Sequence, residues 1–239
     1  MGGGPARAGR GEVPLSARGS GPVGDPSPWA DPTPTYERVA SAYVDRFLHE
    51  LEGKPFDREL LLRFAAGLPD GRATNPVCDL GCGPGQVGAF LAGLGVDVIG
   101  IDLSAAMVAE ARRHHPALTF FQGDMTSLPL SDGELDGIVC FYALIHLPRR
   151  LVPAALYEMH RVLAQGGALL LAVHGGEGTL HADEMLGLPA NLNVTLFSLN
   201  ELAGLVEDAG FTVVESHERA PYEGEHPTQR LYVSAVRPD

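Results

Sequence analysis

Three aspartates accompany the first three apolar runs that the sequence predicts to be buried strands. Asp79 lies inside the first run, Asp102 ends the second, and Asp124 follows the third. An ionised carboxylate only accepts hydrogen bonds, which is what a vicinal diol or an exocyclic amine requires of its partner. Asp102, at the end of the second strand and 19 residues after Gly83, is therefore the candidate acceptor for the two hydroxyls of a ribose.

A glycine-rich turn, Gly81-Cys82-Gly83-Pro84-Gly85, separates the first strand from a helix-spaced apolar pattern that begins at Val87. Glycine lets the backbone pass close to a ligand, and the N–H groups of a helix start face whatever lies above the strand end. The loop is thus a candidate nucleotide pocket. Gly83, Gly85 and Gly88 also satisfy the dinucleotide pattern G-x-G-x-x-G, which by itself is a weak signal.

Strands and helices alternate regularly from residue 77 to residue 173, and this predicts parallel βαβ units in one sheet covered on both faces. Two further strands, 211–218 and 229–236, are too close in sequence for a crossover and must pair as a hairpin. We therefore predict an α/β doubly wound fold with a mostly parallel seven-stranded sheet, a C-terminal antiparallel hairpin and two N-terminal helices.

The regions outside the sheet divide into three. Residues 1–34 are rich in Gly and Pro without apolar periodicity and are predicted to be a disordered leader. Residues 35–70 are predicted to form a helical cover, with Thr35 as N-cap and a turn at 69–71. Residues 175–197 have no clear period and are predicted to be loop-like with a short helical turn. A long insert of this kind is a candidate lid over a substrate. The whole folded domain is predicted to span residues 35–239.

Bulk composition narrows the function classes. The formal net charge of −13, with Lys54 the only lysine, argues against nucleic acid as a partner. No apolar run approaches the roughly 18 residues of a membrane span, so no membrane partner is expected. The three cysteines, Cys78, Cys82 and Cys140, lack nearby ligands for a metal and suit a reducing, cytoplasmic setting.

Five stretches of the sequence decide between the possible cofactors. They are DLGCGPG at 79–85, GIDLSAAMVAEAR at 100–112, GDMTSLPL at 123–130, FYALIHLPR at 141–149 and RVLAQGGALLLAVH at 161–174. In order and spacing they resemble the motifs of class I S-adenosylmethionine-dependent methyltransferases of the bacterial small-molecule type, and the resemblance extends from about Tyr36 to the C-terminus. A dehydrogenase that uses NAD is disfavoured, because its usual proton donor is missing.

The resemblance implies a role for each cofactor residue. The loop containing Gly81, Gly83 and Gly85 would hold the methionine and ribose parts of S-adenosylmethionine, and Asp102 the ribose hydroxyls. Asp124 would accept from the adenine amine. Asp79 is either a structural acceptor for loop N–H groups or a contact for the amino end of the cofactor. The remaining candidates beside the cofactor are Tyr36 on the cover helix, Leu103, Met125 and Phe141.

The acceptor would approach past the fourth and fifth strands, where Tyr142, His146 and His174 are the catalytic candidates. In-line methyl transfer mainly requires orientation, and a base is needed only for an acceptor that must lose a proton during transfer. The sequence predicts a methyltransferase of secondary or general metabolism with a small-molecule acceptor. A peptide or protein acceptor and a non-catalytic cofactor-binding protein stay open as alternatives, and the chain could form a homodimer.

Overall fold

A computed structural model describes residues 29–68 and 75–239. Most of the predicted leader and the predicted turn at 69–71 lie outside these ranges. The helices are α1 (Thr33–Phe47), α2 (Pro55–Gly67), α3 (Gln86–Gly93), α4 (Ala105–His114), α5 (Val152–Val162) and α6 (Leu199–Asp208). The strands are β1 (Val77–Leu80), β2 (Val98–Asp102), β3 (Thr119–Gln122), β4 (Leu135–Phe141), β5 (Leu163–Gly175), β6 (Thr179–Met185), β7 (Leu188–Thr195), β8 (Thr212–Arg219) and β9 (Gln229–Val236).

Seven strands form one sheet in the order β3-β2-β1-β4-β5-β9-β8. β1 to β5 pair in parallel, and β9 runs antiparallel between β5 and β8. The prediction of a doubly wound, mostly parallel sheet with a C-terminal hairpin is confirmed. The carboxyl ends of β1 to β5 consequently meet at one edge of the sheet.

The central strands are buried because helices cover both faces of the sheet. All four residues of β1 are buried, and so are the first six of β4. On one face α5 and α6 contribute Leu156, Met159 and Leu202 to the larger apolar cluster. On the other face α2 and α3 contribute Leu61 and Leu91 to a second cluster. Removal of this apolar surface from water is the main stabilising contribution to the fold.

The cover helix α1 starts differently from the prediction. Pro32 occupies its N-cap position and Thr35 lies inside the first turn, so the prediction of Thr35 as N-cap was wrong. Pro34 fits there because the first N–H groups of a helix lack intrahelical acceptors. Thr35 is buried instead, and its Oγ1 accepts a hydrogen bond from the N–H of Asn191 in β7 at 3.0 Å.

The segment 175–197 was predicted to be loop-like, and this was wrong, because most of it forms the β6–β7 hairpin. Its turn contains Leu186 and Gly187 with φ of +53° and +76°. The pairing shifts register between Ala182 and Glu184, and such an irregularity obscures the alternation of a regular strand. Within residues 29–68 and 75–239, no helix is long and apolar enough to cross a membrane.

Candidate functional site

The glycine turn lies at the carboxyl edge of the parallel strands, directly after β1. Gly81, Gly83 and Gly85 have φ of +72°, +52° and +86°, a region in which residues with a Cβ are strained. A methyl group at Gly81 would also overlap the Cβ of Ala143. A methyl group at Gly83 would meet only Cε1 of Tyr43, at 3.8 Å. The loop is therefore tight on the sheet side and open toward α1.

Asp102 orients this loop, a role that the sequence analysis missed. Its Oδ2 accepts from the N–H of Gly83 at 2.8 Å, and its Oδ1 accepts from the N–H of Ser104 at 2.8 Å. Burial raises the pKa of the carboxyl above its usual value, although both hydrogen bonds act in the opposite direction. Each oxygen keeps a second lone pair, so the carboxylate can still accept from a diol.

Asp79 is buried within β1, and its Oδ2 accepts from the N–H of Gly88 in α3 at 2.8 Å. Burial raises the pKa of this carboxyl to about 7, and the hydrogen bond from Gly88 opposes that shift. A Cβ at Gly88 would lie 3.2 Å from the same oxygen, which explains the glycine there. Asp79 thus has a structural hydrogen bond, to the helix rather than to the glycine turn.

The four other cofactor candidates, which follow β2 and β3 or end β4, differ in their surroundings. Asp124 is exposed, and its Oδ1 accepts from the N–H and the hydroxyl of Thr126, both at 2.8 Å. Leu103 is 41% exposed, more than an ordinary core leucine. Met125 is partly buried and packs against the larger apolar cluster. The ring of Phe141 packs edge-on against Tyr232, with centroids 6.3 Å apart, and contributes to the core.

Two tyrosines of α1 lie at the carboxyl edge of the sheet, where Tyr43 faces Gly83 and Tyr36 contacts His146. The rings of Tyr36 and Tyr43 pack edge to face with centroids 5.9 Å apart. The Tyr36 hydroxyl lies 2.7 Å from Nε2 of His146, in the segment after β4. Burial, assisted by the negative charge of Asp102, raises the pKa of Tyr36 far above its usual value, so its hydroxyl keeps its proton. The cover helix is thereby joined to the carboxyl edge of the sheet.

His146 is held on three sides. Its Nδ1 lies 3.4 Å from the carbonyl oxygen of Asn193 in β7, and its own carbonyl accepts from Nε1 of Trp29 at 3.0 Å. Since a carbonyl only accepts, Nδ1 carries the proton and Nε2 accepts from the Tyr36 hydroxyl. Burial lowers the pKa of His146 to about 4. The imidazole is therefore neutral at physiological pH, and both of its nitrogens are engaged.

His174 lies one residue before the end of β5 and is held by the loop that joins β8 to β9. Its Nδ1 lies 2.8 Å from Oγ1 of Thr228, which also accepts from Nη1 of Arg230 at 2.7 Å. Burial, and then the positive charge of Arg230, lower the pKa of His174 well below its usual value. The ring of Tyr142 packs against it with centroids 5.2 Å apart.

Tyr142 belongs to a buried polar network that the sequence analysis also missed. Its hydroxyl lies 3.1 Å from that of Tyr232 and 3.4 Å from Oδ1 of Asp57, the first acidic residue of α2. Asp57 is fully buried, and its Oδ2 lies 2.9 Å from Nη2 of Arg219 in β8. Burial and the charge of Asp57 raise the pKa of Tyr142 well above its usual value. Its φ of +54° is rare for a residue with a Cβ and typical of functional sites.

The residues missed from sequence lie outside the five motifs, two before the first motif and three after the last. Trp29, Asp57, Asn193, Thr228 and Arg230 contact or surround the predicted acceptor-side residues, yet none lies in a recognisable motif. Two signals were available in the sequence. Asn193 lies within the candidate lid 175–197, and Trp29 is the single tryptophan but was assigned to the leader.

Comparison with known proteins shows the family to which the chain belongs. A methyltransferase-domain profile matches residues 77–167. An uncharacterized methyltransferase of Synechocystis sp. is 32% identical over 145 residues, which cover 59% of this chain and 68% of that protein. The chain belongs to the class I S-adenosylmethionine-dependent methyltransferase family.

Two further comparisons show likeness to other methyltransferases, one in sequence over part of the chain and one in fold. A demethylmenaquinone methyltransferase of Beutenbergia cavernae is 44% identical over 103 residues, 42% of this chain and 41% of that protein. The CcbJ methyltransferase from Streptomyces caelestis shares the fold at 19% identity, with a TM-score of 0.67 over 88% of this chain and 100% of that one. The chain spans about half the length of most curated relatives that it matches.

S-adenosylmethionine is the cofactor of this methyltransferase family, and the residues present fit it. The glycine turn is open toward α1 at Gly83, and Asp102 retains acceptor capacity beside it. In addition, Oε1 of Gln86 is shielded from solvent, and no residue in the described part of the chain donates to it. A buried acceptor without a donor is rare in a folded protein and suits a polar ligand.

Proposed function

We propose that this chain transfers a methyl group from S-adenosylmethionine to a small-molecule acceptor by in-line displacement, chiefly by positioning the reactants. The observation that carries the proposal is the closed contact between Tyr36 of α1, His146 of the sheet edge and Asn193 of the β6–β7 hairpin. A site that is covered by a helix and a hairpin suits an acceptor small enough to fit beneath them.

The bound cofactor would supply an electrophilic methyl group on a sulfonium. The chain's own residues would then bind and orient. Asp102 would accept from the ribose hydroxyls and Asp124 from the adenine amine, with Leu103 and Met125 beside the base. Tyr36 and Tyr43 would exclude water from the sulfonium, toward which an aromatic face is also attractive. Restricting the reactants to an aligned pair accounts for a large part of such rate enhancements.

The acceptor side supports positioning rather than proton removal. His146 has both nitrogens engaged and a pKa lowered to about 4 by burial. Tyr142 has a hydroxyl that is buried between Tyr232 and Asp57 and a pKa raised by that burial. The neutral imidazole of His174 keeps its Nε2 for a hydrogen bond with the methyl acceptor. We assign His146 and Tyr142 to shaping the acceptor pocket and His174 to orienting the acceptor.

A cytoplasmic location and the absence of a nucleic-acid partner belong to the same proposal. All three cysteines are buried free thiols, which suits a reducing compartment. The net charge of −13 disfavours association with a polyanion.

Two measurements test the proposal. Calorimetric titration should give binding of S-adenosylmethionine and S-adenosylhomocysteine but not of NAD. Formation of S-adenosylhomocysteine should then be followed with a panel of small hydroxylated, carboxylated and quinol acceptors, and in parallel with a library of short peptides. Turnover is expected only with members of the first panel. Binding of NAD alone would overturn the cofactor assignment, and turnover only with peptides would overturn the acceptor class.

A further inference from the structure

Gln86 is the first residue of α3 and follows the glycine turn directly. Its Nε2 donates to Oε1 of Glu50 at 3.0 Å. Its Oε1 is shielded from solvent and lacks a donor within the described residues. Rotating the amide by half a turn would set this oxygen against a carboxylate, two acceptors facing each other. Glu50 therefore fixes which end of the amide faces away from it.

Glu50 is itself held in place. Its Oε2 pairs with Nζ of Lys54 at 2.7 Å, and both side chains are largely buried, with about 15% exposed. Nζ of Lys54 also lies 3.5 Å from Oε1 of Glu225, in the loop between β8 and β9. Contacts on both sides keep the carboxylate from rotating away from Gln86. The unpartnered amide oxygen is thus built into the structure, and the desolvation of such an oxygen costs free energy unless a donor reaches it.

The oxygen belongs to the same groove as the ribose site. Gly83 contacts Asp102 through its N–H and faces Tyr43 through its open side, and Gln86 follows three residues later. Tyr43 contacts the Gly83 position from α1, and Glu50, which accepts from Gln86, follows three residues after the end of that helix. The groove therefore runs from Asp102 beneath Tyr43 to Gln86 and Glu50.

The chemical groups of the cofactor match this arrangement of residues along the groove. With the ribose at Asp102, the amino-acid portion would lie toward the glycine turn and Gln86, and its α-ammonium is the group of that portion that carries several donors and a positive charge. An amide oxygen beside a carboxylate is a suitable partner for an ammonium, because both accept hydrogen bonds and one is negatively charged. We propose that Gln86, oriented by Glu50, binds the α-ammonium of S-adenosylmethionine. This inference rests on the proposed function.

Binding measurements test it without any acceptor. Calorimetry would compare S-adenosylhomocysteine with 5′-methylthioadenosine, which retains the adenine, ribose and sulfur but lacks the amino acid. Gln86→Met preserves the shape of the side chain and removes the acceptor. We expect it to weaken binding of S-adenosylhomocysteine by about tenfold or more, since hydrogen bonds to charged groups are the strong ones, and binding of 5′-methylthioadenosine by less than about threefold.

Two further variants complete the design. Glu50→Gln should reproduce the ligand-selective loss. Gln165→Met, at an exposed position near the opposite edge of the sheet, should change neither affinity. Unchanged binding of S-adenosylhomocysteine in Gln86→Met would assign the oxygen to a buried water, and equal loss of both ligands would mean a disturbed loop; either result overturns the inference. A wild-type protein that binds neither ligand would instead overturn the proposed function.

Discussion

The hydroxyl of Tyr36 donates to Nε2 of His146 across 2.7 Å, and this contact joins the cover helix α1 to the segment that follows β4. The two residues are 110 positions apart in sequence. Their rings also pack edge to face, with centroids 5.2 Å apart. The contact lies where cover, sheet edge and β6–β7 hairpin meet, so it couples the position of α1 to both other elements.

Tyr36→Phe should loosen this cover. The change removes the hydroxyl and leaves Nε2 of His146 without its donor, which costs about 1 to 3 kcal/mol of unfolding free energy. Dissociation of S-adenosylhomocysteine should become several-fold faster, because α1 opens more easily. Urea denaturation and stopped-flow dissociation measure the two effects. Tyr157→Phe, at an exposed tyrosine, is the control, and equal behaviour of both variants would contradict the coupling.

Asp102→Asn should weaken cofactor binding by about tenfold to over a hundredfold. The amide retains one acceptor oxygen but presents a donor in place of the other, while charge-assisted bonds to a diol contribute roughly 1.5 to 3 kcal/mol each. Because Asp102 also accepts from Gly83 and Ser104, the apo protein should lose stability as well. Calorimetry at a temperature where the variant is folded measures the affinity. Asp97→Asn, exposed before β2, should bind normally.

His146 should make the protein acid-sensitive. Its pKa is lowered to about 4 in the folded state, whereas in the unfolded chain it titrates near its ordinary 6.5. The unfolded state therefore binds the extra proton first, and stability falls as the pH drops from about 6.5 toward 4. Between pH 7 and pH 5 this amounts to about 2 kcal/mol. His146→Gln should lose correspondingly less stability over that interval, as measured by urea denaturation, whereas His49→Gln, at an exposed histidine, should behave as wild type.

Variants of His146 and His174 distinguish catalysis by positioning from general-base catalysis. With saturating substrates, the rate should be flat between pH 6 and pH 8, and His146→Ala and His174→Ala should each cost less than about tenfold. Tyr142→Phe should act mainly on acceptor affinity. If the rate instead fell on acidification near pH 6.5, and one of the two histidine variants abolished that fall, a general base would be at work.

Asp79 should have the opposite pH signature. Its pKa is raised to about 7 in the folded state from an ordinary value of 3.8, so the folded protein binds the proton more readily than the unfolded chain. Its contribution to stability is therefore fully present at low pH and is lost as the pH rises from about 4 to about 7. Asp79→Asn should gain stability relative to wild type across that window. A difference in unfolding free energy that stays constant from pH 4 to pH 8 would contradict this assignment.

The sequence by itself determined the type of sheet and the edge at which its glycine turn lies. Buried strands separated by helices permit few topologies, and glycines and aspartates near strand ends meet at one edge whatever the details of packing. The mostly parallel sheet and the C-terminal hairpin follow from such local patterns, because each rests on neighbours in sequence or on the period of the apolar residues. The order of the strands and the hydrogen bond from Gly83 to Asp102 came from the tertiary structure.

Only the tertiary structure decided the acceptor side. Tyr36, His146 and Asn193 come from three distant segments, and nothing in the spacing of the chain relates them. The β6–β7 hairpin lacks a regular alternation, and it is stabilised by its packing against α1 as well as by its own pairing. The pKa of each buried group depends likewise on how much water the fold removes around it, a quantity set by contacts that are remote in sequence.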